Sequence, residues 1–452
     1  MISDLLGELA VEKIRKDFGD FTSTIFAVIL YNGGCSMSQI NFLIPRIDYS
    51  IVRSSILHLF QHNILYFMPL FSNLTEIKDC VNEIKILPRL HECIYRFRFA
   101  RFICLAEHEY GTIGRKILEL FFENGQVCLA RMIGCRLSKN DLVKFQNILI
   151  QMARDGVIKA AFITFFIKNN NSFEAHRKTV RKPILIDKKT FWKISTLKLN
   201  ITLRLNLILA FINDFYGDNF YLVLRYCACK ILGFCTTTLN RVWFSLDTLI
   251  DWMRDFSHTK KNNELCITQV VSNFVLNDNS LRIHNSRIHI YLGDFFEIIA
   301  KKIIENLVGN QFGQTFLIIF KLLHRDLEND EKNIASECFV HSDLIRKELF
   351  KMYRLGFAFF EEKNFTSNVE KHRKYFVWKI NFASVKKRFI SEIIKCLYNI
   401  LLKIEDFDLF FTKYFFFMMK DANRLENNYV DQRKGLNVSI QRLDELLLFI
   451  YS

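Results

Sequence analysis

The stretch from Gly111 to Ala161 reads GTIGRKILELFFENGQVCLARMIGCRLSKNDLVKFQNILIQMARDGVIKAA and outlines the fold. Apolar residues three and four apart predict a helix that ends at Asn124-Gly125, because glycine accepts the left-handed conformation that follows a helix. A short second helix is expected over Leu129–Cys135. Ser138 is a typical N-cap for a third helix, which ends at Asp155-Gly156 and leads into a strand. Three helices followed by a strand are the order of a winged helix-turn-helix.

The third predicted helix has one apolar and one polar face. The apolar face consists of Leu142, Phe145, Ile148, Leu149 and Met152. The polar face consists of Lys139, Lys144, Asn147, Gln151 and Arg154. Side chains of these polar types reach phosphates and base edges when a helix lies in the major groove. The polar face of this helix is therefore a candidate surface for contact with nucleic acid.

The same plan occurs earlier in the chain at a constant offset of 92 residues, without a gap. Ile25 falls on Ile117, Val28 on Leu120, Asn32-Gly33 on Asn124-Gly125, Ile56-Leu57 on Ile148-Leu149, Phe60 on Met152 and Leu65-Tyr66 on Val157-Ile158. A register held across three helices and two stop signals predicts a tandem repeat of winged-helix units.

Two further units and a different tail follow. Leu281–His284 and Ile288–Leu292 predict a hairpin, and a helix that starts at a Ser342 cap predicts a fourth unit. In the tail, apolar residues alternate steps of three and four in two segments, which is typical of a coiled coil. We therefore expect a mainly α fold with small β wings: four tandem extended winged-helix domains and a C-terminal antiparallel coiled coil. The predicted boundaries are 1–105, 106–200, 201–305, 306–382 and 383–452.

Four further predictions concern single segments of the chain. Arg and Phe alternate in RFRFARFI within Glu92–Glu107, which predicts a strand; one solvated face is favoured over a nucleic-acid surface. Trp243–Asp255 is expected to be a helix. The two tail helices are expected to turn near Asp421–Lys434. The apolar run Phe415–Met419 is expected to be covered by a neighbour or a partner chain.

Composition and charge narrow the function classes. The chain has 452 residues, 46 Phe, only 4 Pro and a net charge of +15, which favours negatively charged partners, nucleic acid first. Residues 171–200 hold eight basic side chains against two acidic ones. From this run we take a candidate DNA-proximal surface: Arg177, Lys178, Arg181, Lys182, Lys188 and Lys189. A solvated loop explains this run equally well.

Several classes are not expected. The sequence has no P-loop, no GxGxxG, no HExxH and no CxxC, so we predict no catalytic residues, no cofactor and no metal site. The 12 scattered cysteines fit free thiols in a reducing compartment. No signal peptide and no apolar run of membrane-spanning length is recognisable, so we expect an intracellular soluble protein without a membrane partner.

A family resemblance rests on the order of several motifs. HNILYF at the end of the first unit, RFRFARFI, EYGTIGRKILELFFENGQ, FWKIS and MYRLGFAFFEE followed by RKYFVWKI occur in sequence. In this order the chain resembles the winged-helix subunit of eukaryotic RNA polymerase III, the largest member of the initiation heterotrimer. That subunit is similar to the alpha subunit of general transcription factor IIE. The chain looks like a compact version, with short loops between units.

The resemblance implies a nuclear, non-catalytic subunit of a multisubunit polymerase that acts in transcription initiation. It would sit on the clamp of the largest subunit and hold the two smaller heterotrimer subunits. It would also contact the initiation factor and, mostly without sequence preference, promoter DNA. A free-standing winged-helix DNA-binding regulator remains the alternative. A helical solenoid that ends in one winged helix fits less well, because the repeat lies in the first 160 residues.

Overall fold

Groups of helices alternate with short antiparallel hairpins along the chain. The computed structural model describes residues 2–71, 81–128, 139–161, 191–216, 241–245, 281–284, 287–325, 329–364, 374–415 and 422–451. The chain divides into two compact units, one of residues 6–239 and one of residues 1–5 with 240–452. The described residues are mainly helical and carry small antiparallel sheets, as the sequence predicted at this coarse level.

The elements up to residue 216 are the following. The helices are α1 (Ile2–Phe18), α2 (Asp20–Tyr31), α3 (Met37–Leu43), α4 (Tyr49–Gln61), α5 (Leu90–Tyr95), α6 (Phe99–Asn124), α7 (Lys139–Arg154) and α8 (Thr196–Tyr216). A 3-10 turn, Arg96–Arg98, joins α5 to α6. The strands are β1 (Leu65–Phe71), β2 (Val81–Pro88), β3 (Val127–Cys128), β4 (Ile158–Ala160) and β5 (Phe191–Ile194).

The elements after residue 240 are the following. The strands are β6 (Arg241–Ser245), β7 (Leu281–His284), β8 (Arg287–Tyr291), β9 (Ala358–Asn364) and β10 (Lys374–Ile380). The helices are α9 (Leu292–Phe312), α10 (Gln314–Arg325), α11 (Glu331–Cys338), α12 (Ser342–Arg354), α13 (Phe382–Phe415) and α14 (Ala422–Ile450).

Three segments share one arrangement of a first helix, a third helix and a hairpin. We call them the N-terminal module (residues 20–88), the middle module (112–194) and the C-terminal module (314–380). Their first helices bury equivalent residues, Ile25, Ile117 and Ile319. Their third helices bury three sets of equivalent residues: Val52, Phe145 and Ile345; Ile56, Leu149 and Leu349; and Leu59, Met152 and Met352. The apolar spacing of a helix that packs on one side thus produces the same core three times.

Each third helix ends in the same turn. The residue after the last turn is left-handed in all three modules: Asn63 (φ 61), Gly156 (φ 76) and Gly356 (φ 74). The next residue donates its N–H to a carbonyl five positions back, and all three bonds, Ile64 to Leu59, Val157 to Met152 and Phe357 to Met352, are 2.9 Å long. This six-to-one bond is the Schellman closure, and it directs the chain into the hairpin.

A short extended segment after the first helix pairs with the last strand in every module. Cys35 pairs with Ile86, Val127 with Trp192, and Asn329 with Trp378. In the middle module the resulting order is β3-β5-β4. The sheet of the predicted third unit has the same order, β6-β8-β7, so its first strand also pairs with its last. This sheet extends the similarity to a fourth segment.

The gapless offset of 92 holds only for the first helix and the segment after it. Asn32 and Asn124 both donate to the carbonyl four residues back, at 2.8 and 2.9 Å. From the third helix onward the offset is 93, because Ile56 corresponds to Leu149 and Leu59 to Met152. The one extra residue lies between Val127 and Phe145. The gapless offset does not reveal this residue, because it places the exposed Leu57 opposite the buried Leu149.

Two predicted elements are wrong. Glu92–Glu107 does not form a strand, because α5, the 3-10 turn and α6 cover it and the returning strand is β2. The start of the predicted helix Trp243–Asp255 lies in β6, where Trp243 pairs with His289 of β8. The rest of that helix lies outside the described residues, as do the predicted helix Leu129–Cys135 and Phe416–Met419.

The tail consists of two long helices in contact. Asp408 of α13 accepts a hydrogen bond from Tyr429 of α14 at 2.6 Å and pairs with Arg433 at 3.2 Å. Phe411 stacks on Tyr429. The later residue of α13, Phe411, thus contacts Tyr429 near the start of α14, whereas the earlier Asp408 reaches the later Arg433. The two helices are therefore antiparallel. The predicted turn near Asp421–Lys434 is wrong, because α14 already begins at Ala422.

Candidate interaction surface

Each module presents the exposed side of its third helix next to one side of its hairpin. We call this surface the helix–hairpin face. Equivalent positions on the third helix are Leu57, Ile150 and Phe350, and then Phe60, Ala153 and Tyr353. Equivalent positions on the first hairpin strand are Phe67, Ala160 and Phe360. The three modules share their cores, so we compare the side chains that each exposes on this face.

The middle module has a polar third helix. Lys144, Asn147, Gln151 and Arg154 are exposed on α7, as the sequence predicted, while Phe145, Leu149 and Met152 are buried. Ile148 is half-buried rather than fully buried. The described surface of α7 therefore offers two cations and two amides at helical spacing. Such side chains can contact phosphates and base edges.

A hydrogen bond fixes the end of α7 beside α6. Tyr110 donates its hydroxyl to the Asp155 carboxylate at 2.9 Å, one residue after Arg154. Burial, followed by the bond to Asp155, raises the pKa of Tyr110, so this hydroxyl stays protonated and keeps donating. The bond holds the C-terminal end of the polar face in place.

The C-terminal module carries aromatic rings at the corresponding positions. Phe350 of α12 contacts Trp378 edge-on at 5.8 Å between ring centroids, and Trp378 contacts Phe360 at 5.4 Å. Phe360 also contacts Tyr353 at 5.3 Å and Phe376 at 5.5 Å. Four of these rings remain 39–53% exposed, and only Trp378, at 5%, is buried. The face is one connected aromatic patch.

The N-terminal module resembles the C-terminal one in polarity. Leu57, Phe67 and Ile84 are exposed on its helix–hairpin face, and the Phe60 ring lies 4.7 Å from that of Phe67. Aliphatic side chains replace two of the aromatic ones, yet the face stays apolar. The middle module holds Ile150, Ala153 and Ala160 at the described equivalent positions and has no such patch.

The predicted basic surface lies outside the described residues. Arg177, Lys178, Arg181, Lys182, Lys188 and Lys189 all fall between β4 and β5. They follow the strand that leaves the polar helix α7 and precede the strand that returns. Their role near DNA stays a prediction.

The arginines of RFRFARFI are structural rather than surface-forming. Arg98 is only 4% exposed and donates to the Asn200 side chain of α8 at 2.5 Å. Arg96 pairs with Asp17 and lies over the rings of Phe18 and Phe99. The expected strand does not form here. Helical spacing turns these side chains inward, which an alternating sequence pattern does not reveal.

The ion pair at Asp17 is partly buried. Burial by itself raises the pKa of Asp17, but the charges of Lys13 and Arg96 outweigh it and hold this pKa below its usual value. Because its folded pKa is depressed, Asp17 stabilises the fold above its unfolded pKa of about 4. The stabilisation is lost as the pH falls through the folded pKa. The cluster therefore anchors the segment between the N-terminal and middle modules.

The described residues contain no membrane-spanning helix and no cluster of metal-binding side chains. No helix within these ranges is long and apolar enough to cross a bilayer. Among the same residues, no three His, Cys, Asp or Glu side chains gather closely enough to hold a metal ion.

Comparison with known proteins gives a distant similarity. No family model matches the chain. The chain is 21% identical over 232 residues to DNA-directed RNA polymerase III subunit rpc3 of Dictyostelium discoideum. The alignment covers 48% of this chain but only 35% of the relative's length. The resemblance to an RNA polymerase III subunit, indicated by the order of the sequence motifs, is thereby confirmed.

Proposed function

We propose that this protein is a non-catalytic subunit of RNA polymerase III that acts in transcription initiation. The similarity to subunit rpc3 carries the proposal. The repeated modules support it, because they supply several faces on which other proteins can dock. A subunit of this kind works through surfaces, and its residence would be the nucleus.

The modules are the basis for a more detailed architecture. We assign four extended winged helices, at 1–105, 106–200, 201–305 and 306–382, and a C-terminal antiparallel coiled coil at 383–452. Three modules with equivalent cores and a fourth sheet of the same strand order support this division. The contacts between α13 and α14 support the coiled coil.

The proposed partners follow the resemblance. The protein docks on the clamp of the largest polymerase subunit and holds the two smaller subunits of a heterotrimer. It also contacts the initiation factor and promoter DNA. The exposed Lys144 and Arg154 of α7, together with the predicted basic run at residues 177–189, form the proposed DNA-proximal side. Contacts to phosphates bind mostly without sequence preference.

Co-purification tests assembly directly. Tagged protein expressed at its natural level should be recovered with the large polymerase subunits in equal amounts. Recovery of the chain alone, or as a homodimer, rejects the polymerase assignment. The same tag on an unrelated nuclear winged-helix protein is the control for unspecific recovery of polymerase.

One observation favours the alternative, a free-standing winged-helix regulator. The exposed Asn147 and Gln151 of α7 are side chains that read adenine in the major groove. A polymerase subunit should bind duplex DNA weakly, with a steep salt dependence and little sequence preference. Selection of one site from a random duplex library at physiological salt would favour the regulator instead.

The basic run can be tested inside the complex. Replacing Arg177, Lys178, Arg181 and Lys182 with Ala should weaken promoter DNA association by roughly tenfold or more, because four phosphate contacts are removed. Assembly with the other subunits should be unchanged. If the variant no longer assembles, the run is a protein interface, and the DNA-proximal assignment is wrong.

A further inference from the structure

The helix–hairpin face of the C-terminal module is an exposed apolar patch of unusual continuity. Phe350, Tyr353, Phe360 and Phe376 are each exposed to about half or somewhat less, and each ring touches another ring of the patch. Single exposed apolar residues are common, but contiguous patches mark interaction sites. Trp378 joins the helix side of the patch to the hairpin side.

The cations around this patch favour a partner with negative charge. Lys347 and Arg354 lie one turn before and one turn after Phe350 on α12, and both are exposed. Neither forms an ion pair with the residues that the structure describes. Arg346, in contrast, is already paired with Glu331 at 2.8 Å. Glu362 lies at the far end of the patch, across the hairpin from Phe376.

The N-terminal module shows which property of the face is required. Its equivalent positions carry Leu57, Phe67 and Ile84, which keep the surface apolar without keeping it aromatic. Leucine and isoleucine cannot stack on a nucleic-acid base, whereas they bury well against another protein. In the C-terminal module the rings contact one another edge-on. They therefore form one continuous surface and not a set of separate ring faces on which bases stack.

The loop between β9 and β10 does not complement this face. Residues 365–373 read FTSNVEKHR, with Lys371 and Arg373 against the single acid Glu370. Residues 365–373 carry more basic than acidic side chains, so their charges do not complement those of Lys347 and Arg354. The patch therefore calls for acids that come from elsewhere.

We infer that the helix–hairpin face of the C-terminal module docks an acidic segment of another protein. Bulky apolar side chains of that segment cover Phe350, Phe360 and Phe376, and its flanking carboxylates pair with Lys347 and Arg354. The inference concerns the surface itself and holds whether or not the protein belongs to a polymerase. It assigns this module to protein recognition rather than to nucleic acid.

The test uses the full chain and a short synthetic peptide in which Leu and Phe recur at helical spacing among Glu and Asp. A second peptide replaces every acid with Lys, and a third scrambles the acidic one. Fluorescence anisotropy should show saturable binding of the acidic peptide only. The double variant Phe350→Ser/Phe376→Ser should weaken this binding at least about tenfold, because central apolar anchors dominate interface energetics.

Two further variants separate apolar from charge contributions. Lys347→Glu/Arg354→Glu should weaken binding of the acidic peptide several-fold and strengthen binding of the lysine peptide. Phe410→Ser is the matched control, since this α13 residue is 56% exposed but lies outside the patch. It should leave the affinity unchanged. All substituted residues are exposed, and thermal unfolding confirms that each variant folds.

Three outcomes would overturn the inference. The acidic peptide binds no better than the scrambled one, or binds the Phe350→Ser/Phe376→Ser variant as well as the original chain. An oligothymidine strand binds and is lost in the same variant, which assigns the face to single-stranded nucleic acid. Peptide binding appears only after residues 365–373 are replaced by a Gly/Ser linker, which shows that the chain covers its own face.

Discussion

The third helices α7 and α12 bury nearly the same types of side chain but differ in the polarity of the side chains that they expose. On α7, Phe145, Leu149 and Met152 enter the core; on α12, Ile345, Leu349 and Met352 do so. The exposed side of α7 carries cations and amides, whereas that of α12 carries two aromatic rings between cations. The same scaffold thus carries a polar surface in one module and an aromatic surface in another.

The difference shows how the surfaces of a repeated fold can diverge while its core is kept. Core positions are restricted by packing, so they change little between modules. Exposed positions of a helix are restricted only by what they bind. A protein built for docking can therefore vary its partners without changing its architecture.

The largest expected effect tests the shared core. Phe145→Ala and Ile345→Ala should each lower the free energy of unfolding by about 2–5 kcal/mol, because each leaves a cavity in a packed helix face. Lys144→Ala and Lys347→Ala, next to them on the exposed side, should change it by less than about 0.5 kcal/mol. Chemical denaturation followed by circular dichroism measures both. Equal effects of core and surface variants would break the comparison.

The next effect tests the shared turn. Gly356→Ala should destabilise the second unit by about 1–2 kcal/mol, because an added side chain is strained at φ 74 even where nothing crowds it. Gly435→Ala, inside α14 with open space around it, should stabilise by about 0.5–1 kcal/mol. Thermal unfolding of the two variants should shift in opposite directions. A shift in the same direction contradicts the role of the turn.

A third prediction separates the two exposed faces. Lys144→Ala/Arg154→Ala should weaken duplex DNA binding about tenfold and lower the salt slope by roughly 2, because two phosphate contacts are lost. Phe350→Ser/Phe376→Ser should change neither quantity. Affinities measured by anisotropy across several salt concentrations give both numbers. A loss of DNA binding in the aromatic variant would mean that both faces serve DNA.

The smallest expected effect concerns helix starts. Asp330 accepts a hydrogen bond from the Asn333 N–H at 2.8 Å, and Ser36 caps the equivalent helix of the N-terminal module. Asp330→Ala and Ser36→Ala should each cost about 1 kcal/mol. Ser54→Ala, on an exposed helix side, is the control and should cost less. A cap effect in only one module would show that the second helices are not equivalent.

Much of the module plan could be predicted from local patterns. Helices α6 and α7 end, and α12 begins, close to the predicted residues, and strands β7 and β8 fall close to their predicted positions, because amphipathic spacing and stop residues are local properties. Ser342, expected as an N-cap, is instead the first helical residue, and His341 occupies the cap position. The exposed faces were harder to predict. Exposed Leu57 and Phe350 look like core residues in a sequence, so the apolar faces were missed.

Other errors arose where distant contacts decide. In Glu92–Glu107, alternating Arg and Phe satisfy a strand pattern, but Asp17 and Asn200 supply partners that make a helix favourable. These partners are far away in the chain, and no local pattern shows them. The single-residue change of register between the N-terminal and middle modules was likewise hidden, since only burial distinguishes Leu57 from Ile56.

By itself, the sequence determined the helical character, the repeated order of helix, helix and hairpin, and the basic charge, because these follow from spacing and composition. Tertiary structure decided which apolar residues enter the core and which form exposed faces. That choice depends on the neighbours that each side of a helix meets. The same Phe or Leu is a core residue against one neighbour and a surface residue where the described neighbours leave it exposed.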